Sequence, residues 1–403
     1  MTTTVSTSQI RLPRTMLSFL YEELIENFHP VFFVSFLGTG ITGNIFYGFP
    51  YPARWLEVLG IICFCLTITF FFFTTGCFII SLYYYPKRWY QYQVDQPFSI
   101  YFAVYSMGYN TIINGIHLIT HGRFPIFLWV LWWIGVAFAL YNTIFLFYWA
   151  FLSKLNKHNL DAITGVALMP VVCPCVVSSS GHLISPYLPN DNLKTITEIT
   201  CLMLLFISLT YYHGVGAIYL SRLILHKTPS TELVFTTFLP VGFTGQSSYS
   251  IMLFGANMYE FIPDKSLGQA FLVTSAMIST FFLASGYVFL FLAIVSVFSK
   301  IKPFTKKPNP KWTTKKLGLI KWNKGFWIMT FPIGTMSLAN FEISKGIIGG
   351  YQLEVFRVMA AIFGACLFLI CFVNLIGLSW RAIQKTIKAY NQTTDVSSME
   401  SKV

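Results

Sequence analysis

Pro240-Val241-Gly242-Phe243-Thr244-Gly245-Gln246-Ser247-Ser248 lies inside a hydrophobic stretch, residues 232–256, that is long enough to cross a membrane. A crossing needs about 20 mostly apolar residues. A helix facing lipid gains nothing from a proline, two glycines and a run of amide and hydroxyl side chains. Irregular, polar backbone at membrane depth is tolerated only where it lines a cavity or is buried in protein. Four other apolar stretches carry the same kind of interruption: Gly38-Thr39-Gly40-Ile41-Thr42-Gly43-Asn44, Ser106-Met107-Gly108-Tyr109-Asn110-Thr111, Pro170 to Gly181 with Pro174 and Ser178-Ser179-Ser180, and Pro332-Ile333-Gly334-Thr335-Met336-Ser337.

Around these stretches the 403-residue chain is 55% hydrophobic and 10% charged. Soluble domains carry about 25% charged residues. The fold class expected is therefore all-α and integral to the membrane. Ten crossings are predicted, at roughly 30–49, 56–84, 98–120, 126–152, 161–186, 195–225, 232–256, 267–299, 325–344 and 351–380. They form one transporter domain, 29–388, between an N-terminal segment 1–28 and a tail 389–403. No cleavable signal peptide is visible in the polar first 28 residues.

The interruptions centre near residues 40, 108, 174, 242 and 332, with gaps of about 68, 66, 68 and 90. The longer last gap holds the lysine-rich loop 300–324. Near-regular spacing signals a repeated unit: here a hairpin of one interrupted helix and one cleaner apolar helix. The even crossings are rich in Phe, Leu and Val, as in Phe70-Phe71-Phe72-Phe73. The simplest architecture has five odd helices lining a central pore and five even helices forming an outer ring. Close packing of helices through small residues is the competing explanation for the glycines.

An even number of crossings puts both termini on one side. The segments on that side hold 21 of the 27 Lys and Arg, nine of them lysines of 300–324; Arg54, Arg123, Lys194, Lys265, Lys345 and Arg357 fall on the other. The positive-inside rule makes both termini cytoplasmic. The net charge of +12 is thus a topology signal and speaks for the lipid bilayer, not nucleic acid, as partner.

The odd helices have no central carboxylate or central Lys or Arg. Cation paths place carboxylates in the membrane, whereas hydroxyls, amides and positive helix ends suit a small inorganic anion. The expected pore-lining residues are Gly38, Thr39, Gly40, Gly108, Asn110, Pro174, Ser178, Ser179, Gly242, Gln246, Ser247, Gly334 and Thr335. His117 and His213 are candidates for carrying a proton with the anion, or for hydrogen-bonded structure. Arg54, beside Trp55, and Arg357 are candidates for guiding anions at the mouth or for anchoring at the interface. The eight cysteines all fall in hydrophobic stretches, so neither a disulfide framework nor a metal site is expected, and no cofactor is called for. No phosphate-binding GxxxxGK[ST] loop is present. A membrane-embedded redox enzyme using Cys173, Cys175 and His182 is the alternative of another class.

Phe49-Pro50-Tyr51-Pro52-Ala53-Arg54-Trp55-Leu56, Gly325-Phe326-Trp327-Ile328-Met329-Thr330-Phe331-Pro332-Ile333-Gly334-Thr335-Met336-Ser337-Leu338, and Phe28-His29-Pro30 followed by Gly38-Thr39-Gly40-Ile41 resemble the tellurite-resistance/dicarboxylate transporter family, and within it the fungal sulfite exporters. The likeness runs from about residue 28 to 385. It implies ten helices in five hairpins around a kinked inner pore, and, from the bacterial TehA channel, a homotrimer with one pore per subunit. It also implies a phenylalanine plug on the ninth helix, which matches Phe331 beside Pro332; Phe326 is the alternative. The activity implied is sulfite or bisulfite efflux across the plasma membrane by a non-enzyme, with a malate or dicarboxylate carrier of the same family as the nearest rival. Loop 300–324 is unusually lysine-rich for the family, and the tail is short.

Overall fold

The computed structural model describes residues 21–157, 159–301, 322–346 and 353–400, with side chains up to residue 387. No strand occurs among them. Ten helices of at least 14 residues follow one another: α1 (Val34–Tyr47), α2 (Arg54–Tyr84), α3 (Tyr101–Ile119), α4 (Pro125–Leu140), α5 (Met169–Ile184), α6 (Asp191–His226), α7 (Leu239–Phe261), α8 (Lys265–Ile301), α9 (Thr330–Ser344) and α10 (Glu354–Glu400). π-Helical turns carry α4 on to Leu152. α10 runs well past its expected end, so the backbone of the tail is helical to Glu400. Most of the lysine-rich loop, and residues 1–20, lie outside the described residues.

Seven stretches are long and apolar enough to cross a membrane: Pro30–Tyr47, Arg54–Tyr84, Pro125–Leu152, Gly165–Tyr187, Asp191–His226, Lys265–Ile301 and Glu354–Ile387. α3, α7 and α9 are not among them. Their polar positions, such as Asn110, Gln246 and Asn340, lower their hydropathy, and each of these side chains is buried.

The helices pack in a definite order. α1 contacts α3, α3 contacts α5, α5 contacts α7, α7 contacts α9, and α9 returns to α1. Each odd helix also packs on the even helix that follows it. Burial follows this order. In Gly165–Tyr187 94% of the most apolar window is buried, against 22% in Arg54–Tyr84 and in Asp191–His226. Phe72, Phe281 and Leu369 on even helices are exposed.

Small residues set the seams. A Cβ on Gly40 would stand 2.1 Å from Thr111 Oγ1, and one on Gly245 would stand 2.7 Å from Thr335 Oγ1. These glycines let α1 meet α3, and α7 meet α9, at backbone distance. Hydroxyls buried in the helices bond back to the preceding turn, as Thr42 Oγ1 does to Gly38 O at 2.7 Å. Others cross between helices, as Ser248 and Ser279 do at 2.9 Å.

Most prolines of the odd helices sit at helix starts. α1, α5, α7 and α9 each follow a 3-10 turn. Pro170 and Pro240 are second in their helices. Pro332 is third in α9, in the first turn, where its missing N–H costs no helical bond. α9 begins there at a junction of 3-10 and α-helix. Pro174 is different, because it lies inside α5. It has no N–H to give to the carbonyl of Pro170, four residues back. Thr143 Oγ1, from the continuation of α4, donates to that carbonyl at 2.6 Å.

Candidate functional site

The inner ends of α1, α3, α5, α7 and α9 enclose a cavity of about 150 Å³. Every odd helix contributes to its wall: Asn44 from α1, Thr111 and Asn114 from α3, Ser179 from α5, Gln246 and Tyr249 from α7, and Phe331 and Glu342 from α9. Phe331 sits in the first turn of α9, while Leu118, Leu183, Leu253 and Phe341 line the cavity from near the other ends of their helices. The cavity therefore runs from Phe331 toward the C-terminal ends of the odd helices.

Its polar groups are held by the ring itself. Asn44 Nδ2 donates to Thr111 O at 3.0 Å, across the seam that Gly40 opens. Gln246 Nε2 donates to Ser179 Oγ, and Ser179 Oγ donates to Val176 O at 2.8 Å. These bonds fix an amide and a hydroxyl on facing helices, α5 and α7. The charged wall residues are Glu342 and Lys345, paired at 2.7 Å beyond the neutral stretch. The carboxylate is nearly buried and the ammonium about half exposed. The middle of the cavity is thus polar and uncharged.

Phe331 is 6% exposed. Its ring lies over Gly242 of α7: a Cβ there would stand 3.2 Å from Phe331 Cδ1 and 3.3 Å from Pro332 Cγ. Gly242 thereby makes room for the ring, and the 3-10 run Lys324–Met329 aims it inward. Phe326 instead packs against Phe235, the rings tilted by 44° with 4.3 Å between centroids, within the lead-in turns of α7 and α9.

The residues expected to line a pore divide between cavity and seams. Ser179 and Gln246 face the cavity. Gly38 lies against the Trp327 ring, Gly40 against Thr111, Gly108 against Phe36, and Gly334 against Ile41. Thr39 Oγ1 bonds to Ser35 O at 3.0 Å and accepts from Thr67 of α2. Asn110 Nδ2 donates to Ser106 O at 2.9 Å. Ser178 Oγ donates to Cys201 O at 2.7 Å and meets Ser250. Ser247 meets Cys175 at 3.4 Å, and Thr335 Oγ1 donates to Pro332 O.

The four titratable candidates also separate. His117 is buried on α3, edge-on to Tyr187 at 4.7 Å. His213 is exposed on the outer face of α6 and bonds to Leu209 O. Arg54 is exposed at the start of α2. Arg357 donates from Nε and Nη2 to Pro50 O at 3.0 and 2.9 Å and lies over the Tyr51 ring. It ties the Pro50–Pro52 turn to the start of α10.

Three features were not legible as site residues. Asn44 and Asn114 stand on single faces of helices whose register only the ring reveals. The Glu342–Lys345 pair has a sequence signal, its i,i+3 spacing, but nothing in it points to a cavity. Behind the α5–α7 wall lies a buried cluster. His182 Nδ1 is 2.6 Å from Glu198 Oε2, and Asn257 Nδ2 donates to Glu198 Oε1 and to His182 O, both at 2.7 Å. His182 is therefore engaged by a carboxylate of α6, while Cys175 meets Ser247 and Cys173 is buried.

The chain is 44% identical over 379 residues to the sulfite efflux pump SSU1 of Candida albicans, covering 93% of this chain and 79% of that protein. It is 29% identical over 391 residues to the sulfite efflux pump SSU1 of Saccharomyces cerevisiae, covering 85% and 84%. It is 27% identical over 332 residues to that of Trichophyton rubrum, covering 80% and 83%. The SLAC1 voltage-dependent anion channel family model matches residues 27–378. With its apolar helices and a cavity lined by neutral donors, this multi-pass membrane protein belongs to the SLAC1 voltage-dependent anion channel family.

Proposed function

We propose that the chain exports sulfite or bisulfite across the plasma membrane through the axis of the odd-helix ring. The observation that carries this reading is the cavity to which all five odd helices contribute, with neutral donors in its middle and Phe331 at one end. The similarity to sulfite efflux pumps supports the substrate. All ten helices cross the membrane in five hairpins. α3, α7 and α9 need no apolar surface, because protein surrounds them. Both termini are cytoplasmic, so Phe331 closes the cytoplasmic end and the cavity faces outward.

Anion passage follows from chemistry and direction. In this arrangement the odd helices run the same way, so their partly positive N-termini gather on the cytoplasmic side. An anion is drawn there, passes Phe331, and meets the amide donors of Asn44, Asn114 and Gln246. Neutral donors hold it weakly enough to let it leave, which conduction requires. A negative interior favours exit by about 2.3 kcal/mol per charge per 100 mV. Three such subunits assemble as a trimer, each with its own path.

Cells lacking sulfite export and expressing this chain test the reading. Restored growth in sulfite, with efflux of labelled sulfite, is the expected result. Export of malate without relief of sulfite sensitivity would replace the substrate with a dicarboxylate.

A further inference from the structure

A second cavity, of about 300 Å³, lies away from the ring axis, between the C-terminal halves of α2 and α10. Val31, Phe32 and Trp327 form its floor. Its two ends differ in chemistry. Phe70 and Phe73 of α2 and Leu378 of α10 make one end apolar. Lys324, Arg381 and Lys385 make the other end cationic, with Glu23 as the carboxylate among them. Leu378 and Lys385 are seven residues apart on one helix, about 10 Å at 1.5 Å per residue. Phe73 and Arg381 are exposed, so the groove opens on the outer surface of the bundle.

The cationic end carries more positive charge than its carboxylate can balance. Lys385 pairs with Glu23. Lys324 is held instead over the Phe32 ring, 4.1 Å from its centroid. Burial lowers the Lys324 pKa below the usual lysine range; Glu23 opposes the shift, and the charges of Lys385 and Arg381 add to it. Among the described residues, two cations without a carboxylate of their own thus face one groove. A single bound phosphate relieves that repulsion and restores the solvation Lys324 has lost.

We infer that this groove binds one anionic glycerophospholipid of the leaflet on the side of the N-terminus, its phosphate between Lys324 and Arg381 and an acyl chain along Phe70, Phe73 and Leu378. Charge complementarity selects the headgroup, and the apolar end selects a lipid over a free anion. Basic pockets beside membrane helices on the cytoplasmic side bind such headgroups. Lys324 and Trp327 also belong to the 3-10 turn that leads into α9. A lipid seated here braces the element that carries Phe331, although the inference does not depend on the gate or the substrate.

Native mass spectrometry of the full chain, released from detergent with phosphatidylserine or phosphatidylcholine, tests it. One phosphatidylserine per chain is expected to be retained, and phosphatidylcholine lost. Each cation near an anionic surface is worth about fivefold in affinity, so Arg381→Gln should weaken retention roughly fivefold and Arg381→Gln with Lys324→Gln roughly thirtyfold. Arg381 is exposed, so the single variant keeps the fold. Phe73→Ser should also weaken retention, with all three cations intact. Equal retention by wild type and the double variant overturns the inference. So does phosphatidylcholine held as tightly as phosphatidylserine, or inorganic phosphate raising the melting temperature as much as the lipid does.

Discussion

Replacing Phe331 with alanine isolates what the ring does at the end of the cavity. In the structure the ring is 6% exposed, packed over Gly242 and beside Pro332. If the ring plugs the path as proposed, it must leave that packing for an anion to pass. Withdrawing a buried phenylalanine from its contacts costs about 1.5–3 kcal/mol. At 1.4 kcal/mol per factor of ten, that holds the open form down roughly ten- to a hundredfold. Alanine removes the ring and with it this cost, so anion current per protein at the cell surface should rise by about that factor. The variant also loses packing. A core Phe→Ala change costs about 3–5 kcal/mol, and the lower end applies because one face of the ring already borders a cavity. Patch recordings normalised to surface protein, with a melting curve of the purified variant, separate the two effects. Phe326→Ala is the control, because that ring packs against Phe235 in the lead-in turns and should leave current per protein unchanged. A folded Phe331→Ala variant with wild-type current would refute the plug.

Other substitutions probe the frame and the rim. Thr143→Val leaves the carbonyl of Pro170 without the donor that replaces Pro174's missing N–H, and should cost about 1–3 kcal/mol in thermal unfolding. Glu198→Ala strips the buried His182 and Asn257 of their partner; breaking such a pair costs about 3–5 kcal/mol, read as a loss of melting temperature. Lys345→Gln leaves the Glu342 carboxylate facing the outgoing anion. Efflux should fall, most at low ionic strength where charge is least screened, and Glu342→Gln added to it should restore the rate. His29, just before α1, has its pKa pulled down to about 4, first by burial and then by Lys324. Its ordinary value near 6.5 applies to the unfolded chain, which therefore takes up the proton first. The stability His29 contributes should be complete above about pH 6.5 and decline as pH falls toward 4; His29→Gln should flatten that slope.

The sequence made the helices legible because apolar runs of crossing length are a one-dimensional signal. α2, α6 and α8 could hardly be missed. α3, α7 and α9 are expected as crossings from the same apolar runs, but as helices they fall short of the combined length and hydropathy that mark a crossing. Which face of a helix meets the axis is another matter. Gly40, Gly108 and Gly334 share the composition of Ser179 and Gln246, yet the first three seat neighbouring side chains and the last two face the cavity. A glycine at a close seam and a serine beside a path look alike in sequence, because both answer to lack of room. Pro332 and Pro174 differ in the same way. Their chemistry is identical, but one opens a helix and the other interrupts it, and only Thr143, 31 positions away from Pro174, reveals the second.

The placement of charge carries the anion reading one step further. Inside the protein, titratable groups are not avoided: His182 and Glu198 lie buried together, with Asn257 closing the cluster. The cluster sits behind the wall of the cavity, on α5, α6 and α7. Within the cavity the charged pair stands past the neutral stretch, with Glu342 compensated by Lys345. A fixed cation at the centre would bind an anion tightly and slow its release; a fixed carboxylate would repel it. Neutral donors avoid both outcomes, and a compensated rim avoids a negative barrier at the exit. The polar groups of Glu198 are satisfied by His182 and Asn257, away from the cavity. In the proposed path, selection for negative charge rests on oriented amides and helix ends, and the proposed plug makes the rate depend on how easily Phe331 moves.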